Sequence, residues 1–384
     1  MTIGFLTSEY PEMSKLYGGI ATSIKNLASA FNDKGHQVTI FVYGQNKDDT
    51  IEKDGIRIIQ IKNKNIKGLS WWHTRKKIEK IINKEILEHH LHILEAADWT
   101  GITAFMKIDC PVVLKLHGSD TYFCHIEGRK QKYKNFFFEK RALLSADAII
   151  SVSHYAADLT TQLFSLQKEI EVIHNGIDTA SFEYADINKL EPKTLLYFGT
   201  LIRKKGVLEL PYIFNKVVKK IPDAKLYLVG GDSFDICTGS SSTWELMQPL
   251  FSEEALARTT YLGKIPHHEM KKHIEQANVC VFPSFAEAFP ISWLEAMASG
   301  KVIIGSDKGW AKEAIEDGVS GFLIDPKQHQ QFADEIVKVL SDNDLALYLG
   351  MKARQKAVRE FEMKQTVEQH ISFYKNIILK GKES

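Results

Sequence analysis

Residues 279–300 of this 384-residue chain read VCVFPSFAEAFPISWLEAMASG, and their pattern is the clearest indication of the fold class. Val279–Phe282 is a short, continuous apolar run, typical of a strand buried on both faces of a parallel sheet. A loop follows, and then a second apolar segment that the sequence predicts to be a short helix. Strand, loop and helix in this order form the repeating unit of α/β folds.

Pro290 and Gly300 mark the predicted ends of that helix. Proline suits the first helical position because its missing N–H would be unpaired there, and glycine suits the left-handed residue after the last turn. Free N–H groups and the positive end of the helix dipole attract phosphate to the N-terminus. Because proline has no N–H, we expect the phosphate contacts to come from the amides of Ile291 and Ser292.

Glu287 precedes this helix, and Glu295 lies inside it, eight residues later. An anion site flanked by two hydroxyl-binding carboxylates suits a nucleotide sugar: the phosphates lie at the helix end, the ribose on one acid and the hexose on the other. A plainer interpretation remains open. Acids near a helix N-terminus are common because they interact favourably with the dipole, each by about 0.3–1 kcal/mol.

Short apolar runs alternate with amphipathic segments along the whole chain. The predicted strands are Ile3–Thr7, Val38–Val42, Ile56–Ile61, Val112–Leu116, Ala148–Val152, Glu171–Ile173, Thr194–Phe198, Lys225–Val229, Thr260–Leu262, Val279–Phe282 and Val302–Gly305. Apolar strands separated by helices imply parallel sheets, and two such sets imply two doubly wound domains. We place the domains at residues 1–182 and 183–363, joined by the polar linker Phe182–Lys193.

Composition excludes several classes of protein. The formal net charge of +1 provides no global field to recruit nucleic acid. The four cysteines are scattered without a C-x-x-C pair, which indicates a reducing compartment and no structural zinc site. No run approaches the ~20 apolar residues of a membrane-spanning helix, and the N-terminal residues predict a strand rather than a signal peptide. We therefore expect a cytoplasmic protein.

The segment with Glu287 and Glu295 resembles the E-x7-E signature of retaining glycosyltransferases, in the form seen in glycosyltransferase family 4. Further matches follow in the order of that family: Tyr17-Gly18-Gly19-Ile20, His117-Gly118-Ser119-Asp120, Asn175-Gly176-Ile177-Asp178, Gly199–Gly206, Gly263–Pro266 and the segment from Glu313 to Leu323. The resemblance implies the α/β fold called GT-B, in which two Rossmann-like domains face each other across a cleft. It also implies that the acceptor binds the first domain and the donor the second, and that the last helix (residues 364–384) packs back onto the first domain.

By this resemblance, Glu287 holds the hexose hydroxyls of the donor and Glu295 holds its ribose hydroxyls. Lys205 and Arg203 contact the diphosphate, and Lys204 competes with Arg203 for this role. Cations aimed at the departing diphosphate lower the barrier, by about 3–4 kcal/mol for one well-placed donor. The resemblance thus implies a reaction without metal or cofactor, although a solvated basic turn is the plainer interpretation of this segment.

Other site residues rest on the same resemblance. Gly18 and Gly19 allow close backbone approach to the donor phosphates and a positive φ, although a plain turn has the same composition. His117, at the carboxyl end of a strand, contacts the donor sugar, unless it is a capping or packing histidine. The main chain around Ile265 pairs with the donor base, and Phe289 completes the donor-binding set.

A basic segment in the first domain stands apart from these motifs. Residues 62–84 contain eight Lys and Arg residues against Glu79 alone, a local charge of +8 − 1 = +7, with Trp71 and Trp72 among them. A second basic run, 129–141, contains Phe136–Phe138. Such mixtures suit an anionic bilayer surface, where each nearby cation contributes about 1 kcal/mol. The alternative is a helix packed on the sheet with solvated lysines.

The sequence therefore predicts a retaining, metal-independent hexosyltransferase. Its donor is a nucleotide-diphosphate sugar, a UDP-sugar or a GDP-sugar, and its acceptor is a glycan, a lipid-linked precursor or a small molecule. We expect it to act in cell-surface polysaccharide or glycoconjugate synthesis, in the cytoplasm or peripherally at the inner face of the membrane. Two alternatives stay open: a nucleotide-sugar epimerase on the same fold, and a non-catalytic subunit that binds sugar nucleotides.

Overall fold

The chain forms two units in the computed structural model, which describes residues 1–11, 13, 18–182, 184 and 190–383. The first unit comprises Met1–Gly176 and Met363–Ser384, and the second comprises Ile177–Glu362. The chain thus leaves the first unit after Gly176, whereas the sequence analysis placed this boundary after residue 182. Residues 183 and 185–189 of the predicted linker lie outside the described residues.

The first unit is built on a sheet with the strand order β3-β4-β2-β1-β5-β6-β7-β8 among the described residues. Its strands are β1 (Thr2–Thr7), β2 (Gln37–Gln45), β3 (Asp49–Lys53), β4 (Ile56–Lys62), β5 (Ile93–Ala97), β6 (Val112–Leu116), β7 (Ala148–Ser151) and β8 (Glu171–Val172). All neighbours pair in parallel except β3 and β4, which form an antiparallel pair at the edge. The parallel sheet expected from the apolar runs is present, with one antiparallel addition.

Helices cover this sheet. They are α1 (Gly19–Asp33), α2 (Ser70–His89), α3 (Asp120–Ile126), α4 (Tyr133–Ser145), α5 (His154–Phe164) and α14 (Met363–Glu383). The last of these belongs to the first unit, because Val367, Ile371 and Tyr374 join the core that contains Phe31 and the inner strands. The first hydrophobic core is therefore completed by residues from the far end of the chain.

Strand β5 escaped prediction because it contains an acid. Glu95 is buried, and its carboxylate accepts a hydrogen bond of 2.5 Å from the Tyr374 hydroxyl. The ammonium of Lys115, also buried, lies 3.8 Å from the same carboxylate. Hydrogen bonding and opposite charge offset the cost of burying these groups, so a strand with an internal acid lies in the middle of the sheet.

The second unit repeats the architecture with the strand order β11-β10-β9-β12-β13-β14 among the described residues. Its strands are β9 (Thr194–Phe198), β10 (Lys225–Val229), β11 (Thr259–Tyr261), β12 (Val279–Phe282), β13 (Val302–Ser306) and β14 (Gly321–Ile324). Its helices are α6 (Leu210–Lys220), α7 (Thr243–Met247), α8 (Glu253–Ala257), α9 (His267–Gln276), α10 (Ile291–Ala298), α11 (Ala311–Ala314), α12 (His329–Ser341) and α13 (Asn343–Glu360). All pairs in this sheet are parallel.

Each sheet has a point where the chain changes direction across it. In the first sheet β1 lies between β2 and β5, and in the second β9 lies between β10 and β12. Ligands of open parallel sheets bind beyond the carboxyl ends of the strands at such points. None of the described helices combines the length and the apolar content that crossing a membrane requires.

Candidate active site

The basic turn after β9 is fixed by close backbone contact. Arg203–Lys205 form a single 3₁₀ turn, which ends at Gly206 with φ +66°. A Cβ atom at Gly206 would lie 1.7 Å from the carbonyl oxygen of Pro283, so a side chain has no room there. The glycine therefore brings the basic turn against the start of the loop that follows β12.

Backbone hydrogen bonds join these two loops. The amides of Phe285 and Ala286 both donate to the carbonyl oxygen of Lys204, at 2.8 and 3.1 Å. Because β9 and β12 are adjacent strands, the two loops meet beyond their carboxyl ends. At the point where the second sheet changes direction, the basic turn and the loop that carries Glu287 are therefore held in fixed positions relative to each other.

The central contact of this site is an ion pair between Lys205 and Glu287. The Lys205 Nζ lies 2.7 Å from the Glu287 Oε1, and their side chains are 21% and 13% exposed. The Ser284 hydroxyl donates to the same oxygen at 3.4 Å. An ammonium and a carboxylate at one partly shielded point can bind a phosphate oxygen and a sugar hydroxyl side by side.

Arg203 is engaged by a residue that the sequence analysis did not identify. Its Nε and one terminal nitrogen each donate to the Asp235 carboxylate at 2.8 Å. Asp235 is only 2% exposed and also accepts hydrogen bonds from the amide and hydroxyl of Thr238. The hydrogen bonds from Arg203 hold the pKa of Asp235 well below its usual range. The charge of Arg203 is therefore fixed in position by this clamp.

Helix α10 begins at Ile291, one residue later than predicted. Pro290 has φ −76° and ψ 125°, an extended conformation, so it occupies the N-cap position rather than the first helical position. Pro290 provides no side-chain hydrogen bond to this terminus, and Ile291 and Ser292 are its first helical residues. The amides of Ile291 and Ser292 thus lie in the first turn of the helix, and their phosphate contacts stay a prediction; Pro290 fixes the residue before the helix rather than its first turn.

The other end of α10 agrees with the prediction. Gly300 has φ +66°, and its amide donates to the Met297 carbonyl at 2.9 Å. The amide of Lys301 donates to the Ala296 carbonyl, also at 2.9 Å, which completes a Schellman motif. Glu295 lies in the middle of this helix and is buried.

Two further predicted donor-binding residues lie in the same unit. Phe289 is buried, and its ring lies edge-on to that of Phe361, with centroids 5.4 Å apart, so its side chain contributes packing. Ile265 is half-buried in the turn after β11. In that turn the Gly263 carbonyl accepts a hydrogen bond of 2.8 Å from Gly230, at the end of β10.

The carboxyl ends of β1, β5 and β6 gather polar groups in the first unit. His117 follows β6, and its backbone amide donates to the Asp98 Oδ1 at 3.0 Å. His117 is 9% exposed, and burial, reinforced by the charge of Lys115, lowers the pKa of its ring well below the usual value. The imidazole is therefore neutral at pH 7 and offers one donor and one acceptor.

Glu9 and the glycine pair lie beyond β1. The Glu9 carboxylate accepts the Gly18 amide at 3.0 Å and also hydrogen-bonds to the Ala21 amide, so it caps α1. Gly18 has φ −111°, and a Cβ at Gly19 would meet no atom within 4 Å. Neither glycine adopts the positive φ that glycine permits. Tyr17 lies outside the described residues.

Two family models together span most of the chain. The model described as Glycosyltransferase Family 4 matches residues 17–181, and the model described as Glycosyl transferases group 1 matches residues 182–356. The chain is a GT-B glycosyltransferase of the family 4 type.

Individual proteins are similar to this glycosyltransferase over much of their length. The N-acetyl-alpha-D-glucosaminyl L-malate synthase of Bacillus anthracis is 26% identical over 275 residues, which cover 70% of this chain and 68% of the relative. Sucrose-phosphate synthase from Thermosynechococcus elongatus has the same fold, with a TM-score of 0.80 and 22% identity over 99% of this chain and 100% of that one. The Anabaena protein HepE, solved in complex with UDP-glucose, has a TM-score of 0.73 and 19% identity over 97% and 99%.

The transferase therefore groups its predicted site residues in two sets. Lys205 and Glu287 contact each other directly, and Arg203 lies in the same basic turn. Gly18, Gly19 and His117 lie in the first unit, beyond strands of the other sheet. The individual roles given to these residues remain predictions.

Three polar residues of the transferase were missed by sequence reasoning. Asp98 follows the unpredicted strand β5, and burial raises its pKa to about 7. Asp235 lies in a serine- and glycine-rich loop that carries no motif. Glu9 follows β1 by two residues. Of the three, it alone could have been identified from the sequence, because it stands at the end of a predicted strand and before a glycine pair.

Proposed function

We propose that this enzyme is a retaining hexosyltransferase that uses a nucleotide-diphosphate sugar. The observation that carries the proposal is the 2.7 Å contact between Lys205 and Glu287, at the direction change of the second sheet. Glu287 stands three residues before Pro290, the N-cap of α10, so the carboxylate is close in sequence to the helix N-terminus, and the ion pair adds the Lys205 ammonium to it. This combination suits a ligand that carries both phosphate and hydroxyl groups.

Each group has a defined role in the proposed reaction. The Lys205 ammonium and the amides of Ile291 and Ser292 bind the diphosphate and stabilise the negative charge that grows as it departs. Glu287 accepts hydrogen bonds from hexose hydroxyls, and Glu295 accepts them from the ribose. Because Lys205 supplies positive charge at the leaving group, the proposed reaction needs no metal ion.

In this proposal the acceptor hydroxyl attacks the anomeric carbon on the same face from which the diphosphate leaves. The product therefore retains the anomeric configuration of the donor. Glu287 is already paired with Lys205, so it acts as a positioning and charge-stabilising group rather than as a nucleophile. The departing phosphate then accepts the proton of the acceptor hydroxyl. His117, whose ring is neutral, orients a sugar hydroxyl in this proposal.

Donor and acceptor are proposed by class. HepE was crystallised with UDP-glucose, and the Bacillus anthracis relative is named for an N-acetylglucosaminyl transfer. UDP-glucose and UDP-N-acetylglucosamine are therefore the first donors to test. GDP-mannose is the alternative donor, in which guanine replaces uracil as the base. The proposed acceptor is a glycan, a lipid-linked precursor or a small molecule, and the proposed location is the cytoplasmic face of a membrane.

A nucleotide-sugar panel tests this function. Purified enzyme is incubated with each donor, with and without acceptor extracts and with and without EDTA, and release of nucleoside diphosphate is measured. We expect acceptor-dependent release that EDTA leaves unchanged, and an NMR spectrum in which the product keeps the anomeric configuration of the donor. Conversion of the donor to an epimer, binding without turnover, or an inverted product would contradict the proposal.

A further inference from the structure

An exposed cluster of aromatic side chains lies on the first unit, outside the candidate site. The start of α2, the loop between β5 and β6, and α4 contribute its five rings. Neighbouring ring centroids lie 4.9–6.3 Å apart, so the rings form one continuous surface. We call it the aromatic surface; its members are Trp71, Trp72, Phe105, Phe137 and Phe138.

The aromatic surface has a packed inner part and an exposed outer part. Phe138 is buried, and the Trp71 ring packs on it at 4.9 Å. Trp72 and Phe137 remain 36% and 46% exposed. Leu69, at the N-cap of α2, is also exposed and lies three residues before Trp72. Exposed aromatic rings that are connected to one another, as Trp72 and Phe137 are through Phe105, are typical of interaction surfaces.

Phe105 adds an independent observation, because its backbone is in the left-handed region with φ +66°. This conformation costs about 1–2 kcal/mol for a residue with a Cβ. Its ring lies 6.3 Å from that of Trp72 and 6.0 Å from that of Phe137, so it links the two exposed rings. Such a conformation persists where the surrounding structure enforces it, often at binding surfaces.

Cations surround these rings. The Lys76 ammonium lies 5.1 Å from the centroid of Trp72, and the Arg141 guanidinium lies 5.7 Å from that of Phe105. Lys134 lies 5.7 Å from the centroid of Phe138. Lys134 and Arg141 form no ion pair with any residue that the structure describes, and both are exposed. Both charges are therefore open to solvent at the edge of the aromatic surface, that of Lys134 near the inner ring Phe138 and that of Arg141 near Phe105.

The structure also changes the interpretation of the basic segment 62–84. Arg75 is buried, with its guanidinium 4.3 Å from the centroid of Phe138, and one of its terminal nitrogens donates to the Gly101 carbonyl at 3.0 Å. Lys76 pairs with Glu79 at 2.7 Å, and Lys77 pairs with Asp48 at 2.5 Å. Much of the local charge of +7 is thus used internally, so this segment does not form a uniformly free basic face.

We propose that the aromatic surface binds an anionic phospholipid bilayer. Trp72 and Phe137 enter the headgroup region, where amphipathic and aromatic rings are favoured, while Lys134 and Arg141 contact lipid phosphates. The inference rests on the proposed location at a membrane and on no step of the transfer chemistry. The proposed membrane contact is thus the aromatic surface, with an apolar centre and a cationic edge, rather than the basic segment 62–84 as a whole.

Vesicle co-sedimentation of the full-length protein tests this proposal. We expect wild type to bind phosphatidylcholine vesicles that contain phosphatidylglycerol, to bind pure phosphatidylcholine weakly, and to dissociate as salt is raised. The double variant W72A/F137A should lose about tenfold or more in partition coefficient, since two large apolar side chains no longer leave water. Leu87→Ala is the matched control: Leu87 is 77% exposed on the same helix, roughly 22 Å further along it.

The charge-reversed variant K134E/R141E keeps the proposal testable if W72A/F137A does not fold. It should lose binding to anionic vesicles while its far-UV circular dichroism and its affinity for the nucleotide-sugar donor stay unchanged. Absence of wild-type binding to anionic vesicles, equal binding to neutral ones, or wild-type binding by both double variants would overturn the proposal. Retained donor binding distinguishes each of these outcomes from a failure of the proposed transferase function.

Discussion

Replacing Lys205 by methionine should separate the catalytic and the structural contributions of its contact with Glu287. At an effective dielectric constant of about 20, opposite unit charges 2.7 Å apart attract by about 6 kcal/mol, and desolvation offsets much of this. Lys205→Met leaves a carboxylate that is only 13% exposed beside an apolar side chain. We therefore expect the free energy of unfolding to fall by about 1–3 kcal/mol.

The catalytic effect should be larger. Removing one preorganised donor from a site of developing charge costs about 10²–10³ in kcat. Glu287→Gln should also reduce kcat, because the carboxylate proposed to accept hydrogen bonds from the sugar hydroxyls becomes a neutral amide. The double variant K205M/E287Q has no unpaired charge at this position, so we expect its stability to recover to within about 1 kcal/mol of wild type. Its activity should remain as low as that of the worse single variant.

Two assays decide between these outcomes. Nucleoside diphosphate release measures kcat, and urea unfolding followed by circular dichroism measures stability. Lys308→Met is the matched control, since Lys308 forms a comparable pair with Asp325 at 2.9 Å in the same unit. Wild-type kcat in Lys205→Met, or recovery of kcat in the double variant, would refute the catalytic reasoning and leave a purely structural ion pair.

Three further predictions concern the surroundings of the site. In urea unfolding, Gly206→Ala should lower the free energy of unfolding by at least about 2 kcal/mol more than Gly239→Ala. Both glycines have positive φ, but only at Gly206 would a Cβ lie 1.7 Å from the Pro283 oxygen. Equal losses of stability in the two variants would contradict this. Burial raises the pKa of Asp98 to about 7, compared with 3.8 in the unfolded chain. Between these two pH values the folded protein retains a proton that the unfolded chain has lost. The stabilisation that this bound proton contributes therefore declines as the pH rises from 3.8 to 7. Asp98→Asn removes this dependence, and its stability relative to wild type should rise by about 3 kcal/mol between pH 5 and pH 8 in urea titrations; a constant difference would show that Asp98 is ionised throughout. Asp235→Asn should lower the free energy of unfolding by about 2 kcal/mol at pH 7, since it removes the charge of a buried carboxylate that accepts a bidentate pair of hydrogen bonds from Arg203. Unfolding curves of Asp235→Asn, Arg203→Met and the double variant R203M/D235N should show strong non-additivity; additive losses would contradict this.

Much of the architecture was predictable because strands buried on both faces leave a clear apolar pattern. Val112–Leu116 and Thr194–Phe198 were predicted with the bounds that the structure shows. Strand β5 was missed because Glu95 interrupts its pattern, and the partner that makes this burial tolerable, Tyr374, lies 279 residues away. Edge strand β3 was missed because its exposed side chains leave no apolar run.

The candidate site was predictable only where chemistry coincides with a motif. The contact between Lys205 and Glu287 joins residues from two matching segments, and the structure brings them together. The bond between Arg203 and Asp235 could not be inferred, because the loop that carries Asp235 has no pattern of its own. The N-cap role of Pro290 differs from prediction by one residue, which is the ordinary uncertainty of helix ends.

The membership of α14 in the first unit has a consequence for synthesis on the ribosome. The sheet of that unit is complete once β8 has emerged from the ribosome. The core around Phe31 is still open at that stage, because Val367, Ile371 and Tyr374, which pack in it, have not yet been synthesised. Throughout translation of residues 177–362 the nascent chain therefore exposes an apolar face that its own later sequence will cover. The second unit, contiguous in sequence, can fold first, so chaperones that shield exposed apolar surface should engage the amino-terminal half until translation of the last helix is complete.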